Sequence, residues 1–231
     1  MIKVQNALVF SEIESEIICQ MFSHSTRISG EQTDQATVAA NLGKPHQIFH
    51  FTGHGNYNFN SPKHSALALI NQEQLTLEAI LKIPFPEVNY EIVTLSACET
   101  ALTGNQSITT EYVGLVSGFL RWGTSYVLST QWQVEDAANA LVTIQFYRLL
   151  LEDTSLTPPL ALAKTIRWLR DLTVEQLKQF YQELRDKLPK EEGTVRPFLR
   201  TELSKLNTIE PEIKMYDHPY YWAGYKVTGN M

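Results

Sequence analysis

Two short stretches decide the fold of this chain: IFHFTGHGNYN at residues 48–58 and YEIVTLSACET at residues 90–100. Each contains a short apolar segment rich in β-forming residues, which is typical of a buried strand in a parallel sheet. The first stretch then reaches His54 between two glycines, and the second reaches Cys98. Because ligands bind at the carboxyl ends of strands in open α/β sheets, we expect His54 and Cys98 to lie at one such edge.

The patterns around these stretches predict an α/β fold, a mostly parallel sheet flanked by helices. Apolar β-rich segments predict strands at 47–52, 67–70, 90–97 and 125–130, and alternation predicts a last strand from Tyr221 to Val227. Helical spacing predicts helices near 11–22, 75–81, 111–122, 136–150 and 158–171. Candidate helix caps are Ser11, Ser15, Thr76 and Thr157. If a strand precedes the first helix, only residues 4–10 are available to form it.

Residues 173–215 differ from their surroundings because they are rich in charged side chains and helical in pattern. Thr173 and Gln176 form a candidate capping box at their start, and LPKEEGTVRP (188–197) interrupts them. We interpret this stretch as a helical insertion before the last strand of a single domain that spans residues 1–231. It is also a candidate docking or regulatory surface.

Composition excludes several classes of function. The chain has 231 residues and is 43% hydrophobic, so it can bury a core, and its net charge of −6 comes with no basic block for nucleic acid. No apolar run is long enough to span a membrane or to serve as a secretory signal, so we expect a cytoplasmic protein. Cys19 and Cys98 offer neither a disulfide framework nor a metal-binding pair, and we expect no metal and no cofactor.

An imidazole and a thiol at one sheet edge suit nucleophilic acyl transfer. His54 would take the thiol proton, Cys98 would attack a carbonyl, and the backbone N–H groups of Gly55 and Cys98 would hold the oxyanion. Zinc is disfavoured because it normally requires four ligands. The residues alone leave two interpretations open. His54 and Cys98 are either a catalytic pair or a turn histidine and a buried thiol with structural roles. We interpret His50 as a supporting residue and Cys19 as a small apolar one.

Four ordered motifs carry a resemblance to a known family: HFTGHG (50–55), LSACET (95–100), EYVGLVSGFLRWGTSYVLSTQWQVED (111–136) and HPYYWAGY (218–225). Together they resemble the CHAT domain, a caspase-like cysteine peptidase family related to separases. The chain looks most similar to the cyanobacterial HetF-like branch, in which this domain commonly follows tetratricopeptide repeats. The resemblance runs from about residue 8 to the end, apart from the insertion.

The resemblance implies a caspase-like sheet with His54 as the general base and Cys98 as the nucleophile. It implies a cysteine endopeptidase that cleaves proteins or peptides, with a role in regulatory proteolysis. Related peptidases often recognise a basic side chain of the substrate, next to the scissile bond, through a carboxylate of the enzyme. Candidate substrate-binding residues are therefore Trp132, Glu135 and Asp136. Asp136 is explained equally well as a helix cap. We expect the HPYYW segment at 218–222 to belong to the core.

Two other functions stay open at this point. The chain begins near the first helix of the family, so an upstream region can lie on another polypeptide and activity can depend on a partner, either a tetratricopeptide-repeat protein or another regulator. The main alternative to a peptidase is therefore a non-catalytic or partner-dependent interaction module with the same fold. An acyl- or thioester-processing enzyme that uses the same dyad is the third hypothesis.

Overall fold

The computed structural model describes residues 9–56, 58, 61–84, 90–99, 113–189 and 194–229, with the backbone alone at 97–99 and 113. Within these ranges it contains one six-stranded sheet and eight helices. The strands are β1 (Ile48–Asn56), β2 (Ala66–Ala68), β3 (Gln74–Thr76), β4 (Ile92–Glu99), β5 (Tyr126–Thr130) and β6 (Tyr225–Gly229). The helices are α1 (Val9–Met21), α2 (Gln35–Leu42), α3 (Leu77–Lys82), α4 (Val113–Arg121), α5 (Asp136–Glu152), α6 (Pro158–Asp171), α7 (Val174–Lys187) and α8 (Val195–Leu206).

The chain divides into two compact units. The first, called the sheet unit below, comprises Ile28–Val134 and Gly224–Met231 and contains the sheet with α2, α3 and α4. The second, called the helical unit, comprises Met1–Arg27 and Glu135–Ala223 and contains α1 and α5 to α8. The helices predicted within residues 173–215 are present as α7 and α8, which precede β6 in the chain. That this stretch is an insertion stays a prediction.

The sheet has the strand order β3-β2-β1-β4-β5-β6. Its three central strands, β1, β4 and β5, run parallel, while β2, β3 and β6 pair in antiparallel fashion at the two edges. The ladder between β1 and β4 extends without a break from the pair Ile48–Ile92 to the pair Gly55–Glu99. The prediction of an α/β sheet flanked by helices is confirmed, and its parallel part lies in the centre.

The central strands have apolar sequences because their side chains are buried in the core of the sheet unit. Val93, Leu95 and Val127 have at most 1% of their surface exposed, and they belong to one apolar cluster with Phe119. Tyr90 lies in the same cluster, and its hydroxyl donates to the carbonyl of Leu42 at 2.9 Å. This packing fixes the strands whose carboxyl ends form the candidate site.

The starts of α3, α6 and α7 follow their local sequence, whereas the start of α1 does not. The Thr76 side chain caps α3, Thr157 precedes Pro158 at the start of α6, and Thr173 forms the predicted capping box with the third residue of α7. The predictions that Ser11 and Ser15 cap a helix are wrong, because both lie inside α1. The Ser11 hydroxyl has a tertiary partner instead.

Three segments differ from their predicted structure. The last strand begins at Tyr225, because Pro219–Tyr221 forms a 3₁₀ turn, and the HPYYW segment is largely exposed rather than core. Phe10 belongs to α1 and not to an earlier strand, while residues 4–8 of that prediction lie outside the described residues. The sequence also missed α2 and β3, whose few residues carry too little periodicity to be recognised.

Candidate active site

His54 and Cys98 are direct register partners in the parallel ladder between β1 and β4. Neighbouring strands lie about 4.8 Å apart, so the ladder holds these two backbone positions at that separation. The sequence placed both residues just beyond their strands, but β1 continues to Asn56 and β4 continues to Glu99. Backbone hydrogen bonds therefore set their spacing, which is a more rigid support than a pair of loops.

Gly53 gives the backbone before His54 a conformation that other residues rarely adopt. Its φ is +153°, and a Cβ added there would lie 3.2 Å from the ring of Phe51. A side chain at this position would thus meet both a conformational cost and a close contact. The glycine is required by the geometry of β1 immediately before His54.

Gly55 lies within the sheet and not in an open turn. It pairs with Leu67 of β2 on one side and with Glu99 of β4 on the other. The N–H groups of Gly55 and Cys98 thus belong to residues of a paired strand. The Gly55 N–H can face an oxyanion only if it is not used in a backbone hydrogen bond to β2 or β4. The oxyanion role of the two N–H groups stays a prediction.

Trp132 follows β5 by two residues and leaves the sheet at the same edge, because β5 runs parallel to β4. Its indole packs against Gly224, where an added Cβ would lie 2.8 Å from the ring. The Gln131 N–H also donates to the Gly224 carbonyl at 2.8 Å. These contacts bring the third and fourth sequence motifs together and fix Trp132 within the sheet unit.

Asp136 lies in the helical unit and is the first residue of α5, so it is not the cap of that helix. The Ser11 hydroxyl of α1 donates to Asp136 Oδ1 at 3.1 Å. Burial, followed by the negative charge of Glu14, raises the pKa of Asp136 to about 6. Glu14 is itself fully buried and accepts a hydrogen bond from the Thr143 hydroxyl at 2.8 Å. Ionisable groups in such unfavourable surroundings occur at functional sites and in structural clusters alike.

Glu135 precedes Asp136 and meets residues of the helical insertion. It is the N-cap of α5, although its side chain makes no capping hydrogen bond. Although the residue as a whole is exposed, partial burial of the carboxyl and the negative charge of Glu202 raise its pKa. Tyr181 and Tyr216 share a hydrogen bond nearby, and burial raises the pKa of both hydroxyls. Sequence reasoning missed this cluster, because no local pattern links α7 or α8 to the start of α5.

The structure thus divides the six candidate site residues. His54, Gly55, Cys98 and Trp132 belong to the sheet unit, whereas Glu135 and Asp136 belong to the helical unit. The prediction that Trp132, Glu135 and Asp136 bind substrate beside the dyad stays a prediction.

The other singled-out residues have ordinary structural positions. His50 lies in the middle of β1 opposite Thr94. Cys19 lies half-buried in α1, and its thiol is 3.2 Å from the Ser25 hydroxyl. Among the residues that the structure describes, no group of three or more His, Cys, Asp or Glu side chains could hold a metal ion. None of the helices within those ranges has the length and apolar character needed to cross a membrane.

The sequence matches the model of one known protein family. A family model described as the CHAT domain matches residues 4–230, which is nearly the whole chain. The chain belongs to the CHAT domain family. As a CHAT domain it is related to caspase-like peptidases, and its described sheet is consistent with their fold. A comparison with curated proteins finds no match.

Proposed function

We propose that this CHAT domain is a cysteine endopeptidase in which His54 is the general base and Cys98 is the nucleophile. The observation that carries the proposal is their register pairing at the carboxyl ends of two neighbouring parallel strands. A nucleophile and a base must come within hydrogen-bond reach. The register of adjacent strands, which lie about 4.8 Å apart, supports such an approach of His54 and Cys98. Family membership independently favours peptidase chemistry.

The reaction requires only the groups of the dyad, the substrate and water. The His54 imidazole takes the Cys98 thiol proton, and the thiolate forms a bond to the carbonyl carbon of the scissile peptide. The tetrahedral intermediate collapses with cleavage of the C–N bond, and the imidazolium gives its proton to the departing amine. Water, deprotonated by His54, then attacks the thioester, releasing the acid and restoring the thiol.

The glycine before His54 supports a functional role for this strand end. A purely structural histidine in a strand does not need a neighbouring residue at φ +153°. Unusual backbone conformations are kept where surrounding structure demands them, and they cluster at active sites. We infer that Gly53 sets the position from which His54 reaches the thiol.

A covalent probe tests the dyad directly, whatever the natural substrate is. An acyloxymethyl ketone peptide with a basic residue should alkylate Cys98, forming a thioether as its carboxylate leaves. Mass spectrometry should find one probe per chain on the peptide that contains Cys98. His54→Ala should reduce the labelling rate by at least about a hundredfold, since general-base catalysis contributes roughly that much.

Two matched controls separate the dyad from general reactivity. Cys19→Ser and His24→Ala remove the other cysteine and an exposed histidine of the helical unit, and both should label at the wild-type rate. Equal labelling of Cys19 and Cys98, or full labelling in His54→Ala, would refute the proposed roles. If a folded sample is not labelled by any peptide sequence, the interaction module becomes the better hypothesis. That module requires Cys98→Ala to keep its cellular function.

A further inference from the structure

A second surface on this chain has the properties of a docking site. Six large apolar side chains among the described residues are exposed, and three of them fall within one short segment. Ile213, Met215 and Tyr220 expose 46%, 37% and 45% of their surface. Scattered apolar residues at a surface need no explanation, but a local cluster of them often marks an interaction site. The segment 210–220, which we call the apolar loop, lies entirely in the helical unit.

Backbone hydrogen bonds attach the apolar loop to the start of α7. The Val174 N–H donates to the Ile213 carbonyl at 2.8 Å, and the Glu175 N–H donates to the Pro211 carbonyl at 3.0 Å. The adjoining Thr173 pairs with Lys214 in an isolated β-bridge. An exposed loop held in this way loses little conformational entropy when a partner binds, which favours affinity.

Aromatic contacts anchor the other end of the loop. Tyr216 is buried, and its ring packs edge-on against Tyr221 with centroids 5.2 Å apart. The Trp222 indole N–H donates to the Asp217 carbonyl at 3.1 Å, which closes the turn that presents Tyr220. The exposed side chains are therefore carried on a fixed backbone between two anchors, and their exposure is a property of the folded chain.

The charges around the apolar loop indicate which partner it suits. The carboxylates of Glu210, Glu212 and Asp217 are exposed, and within the described residues none of them forms an ion pair. Lys214, in contrast, has an ion-pair partner outside the loop. Its ammonium group lies 3.1 Å from Asp171, and that carboxylate also pairs with Arg170 at 2.8 Å. Within 210–220 three carboxylates thus stand against one lysine that is already paired with Asp171, which leaves the apolar loop acidic.

We propose that the apolar loop docks a basic, apolar-bearing peptide segment of a partner protein. Lysine or arginine side chains of the segment would pair with the loop carboxylates, while its apolar side chains would cover Ile213, Met215 and Tyr220. A membrane surface is a poorer match, because the anionic lipids that attract such loops would be repelled by these carboxylates. This interaction is independent of the peptidase dyad.

Selection from a displayed library of random 12-residue peptides tests the proposal on the full chain. The wild-type protein is the target, and the doubly substituted Ile213→Ser/Tyr220→Ser protein is used for counter-selection. Enriched peptides should combine lysine or arginine with apolar residues. A synthetic peptide of that sequence should bind wild type at least about tenfold more tightly than it binds Ile213→Ser, as expected for an interface hot spot. Its affinity should fall as salt rises.

Leu160→Ser is the matched control, because Leu160 is 49% exposed on α6 but lies outside the apolar loop. It should change the affinity less than about twofold, and Glu210→Gln/Glu212→Gln should weaken binding with a smaller salt dependence. Failure to enrich any peptide, enrichment of acidic peptides, or equal affinity for wild type and Ile213→Ser would overturn the proposal. A concentration-dependent dimer that Ile213→Ser abolishes would overturn it too, since the occupant would then be a second copy. So would binding to anionic phosphatidylserine vesicles that exceeds binding to the peptide.

Discussion

Replacing Asp136 by asparagine should stabilise the protein at neutral pH. Asparagine keeps an oxygen that can accept the hydrogen bond from Ser11, and it removes the negative charge that Glu14 repels. The pKa of Asp136 rises from an ordinary 3.8 to about 6, chiefly because the carboxyl is buried. Above about pH 6 the ionised carboxylate of Asp136 therefore lowers the stability of the folded protein.

The size of the effect follows from the displaced pKa. One pKa unit corresponds to about 1.4 kcal/mol, so the full difference would be worth about 3 kcal/mol. Asp136 is only partly buried, and solvent screening reduces this figure. Asparagine also loses the favourable interaction of a carboxylate with a helix N-terminus, roughly 0.5 kcal/mol. We expect Asp136→Asn to raise the free energy of unfolding by about 1–2 kcal/mol at pH 7.5.

The gain should depend on pH with a definite sign. Between pH 3.8 and about 6 the folded state keeps a proton on Asp136 that the unfolded state has released. Wild-type stability therefore falls as pH rises through this window and recovers as pH falls. The advantage of Asp136→Asn should be complete at pH 7.5, shrink to about a third of that value at pH 4.5, and vanish at lower pH.

Urea denaturation of the two proteins at pH 7.5 and pH 4.5, followed by circular dichroism, measures this difference. Asp153→Asn at the other end of α5 is the control, because a hydrogen bond from Ser155 lowers the pKa of that carboxyl and its removal should give no stabilisation. An unchanged or lower stability of Asp136→Asn at pH 7.5 would refute the reasoning. An equal gain at both pH values would also refute it, since the effect would then not come from ionisation.

Two further substitutions test local features of the fold. Gly53→Ala should cost about 1–3 kcal/mol and slow Cys98 labelling, because alanine would have to adopt φ +153° and meet the Phe51 ring. Thr173→Ala should cost about 1 kcal/mol, since its side chain caps α7, whereas Thr157→Ala should cost less because the Thr157 side chain makes no capping bond.

Thermal unfolding monitored by circular dichroism measures both. Gly30→Ala is the control for Gly53→Ala, because Gly30 also has a positive φ of +59° but has no atom within 4 Å of an added Cβ. If Gly53→Ala costs no more than Gly30→Ala and labels normally, β1 does not need its glycine. Equal losses at Thr173 and Thr157 would show that the capping box contributes nothing specific.

Much of the local structure follows from residues close together in the chain. The capping box of Thr173 forms because its partners lie three residues apart on the same helix, and the central strands are recognisable from their apolar β-rich runs. Predictions failed where tertiary partners decided the outcome. Ser11 has a good cap residue type, yet it lies within α1, and its hydroxyl binds Asp136, which lies 125 residues further along the chain.

The sequence by itself determined the class of fold, the candidate dyad and the helices that precede the last strand, because periodicity, glycine and capping residues act over a few positions. Only the tertiary structure decided that His54 lies opposite Cys98 in register, that α1 contacts Asp136, and that Ile213, Met215 and Tyr220 are exposed. Strand pairing, burial and the field of distant charges depend on which segments meet in space. No local pattern records that information.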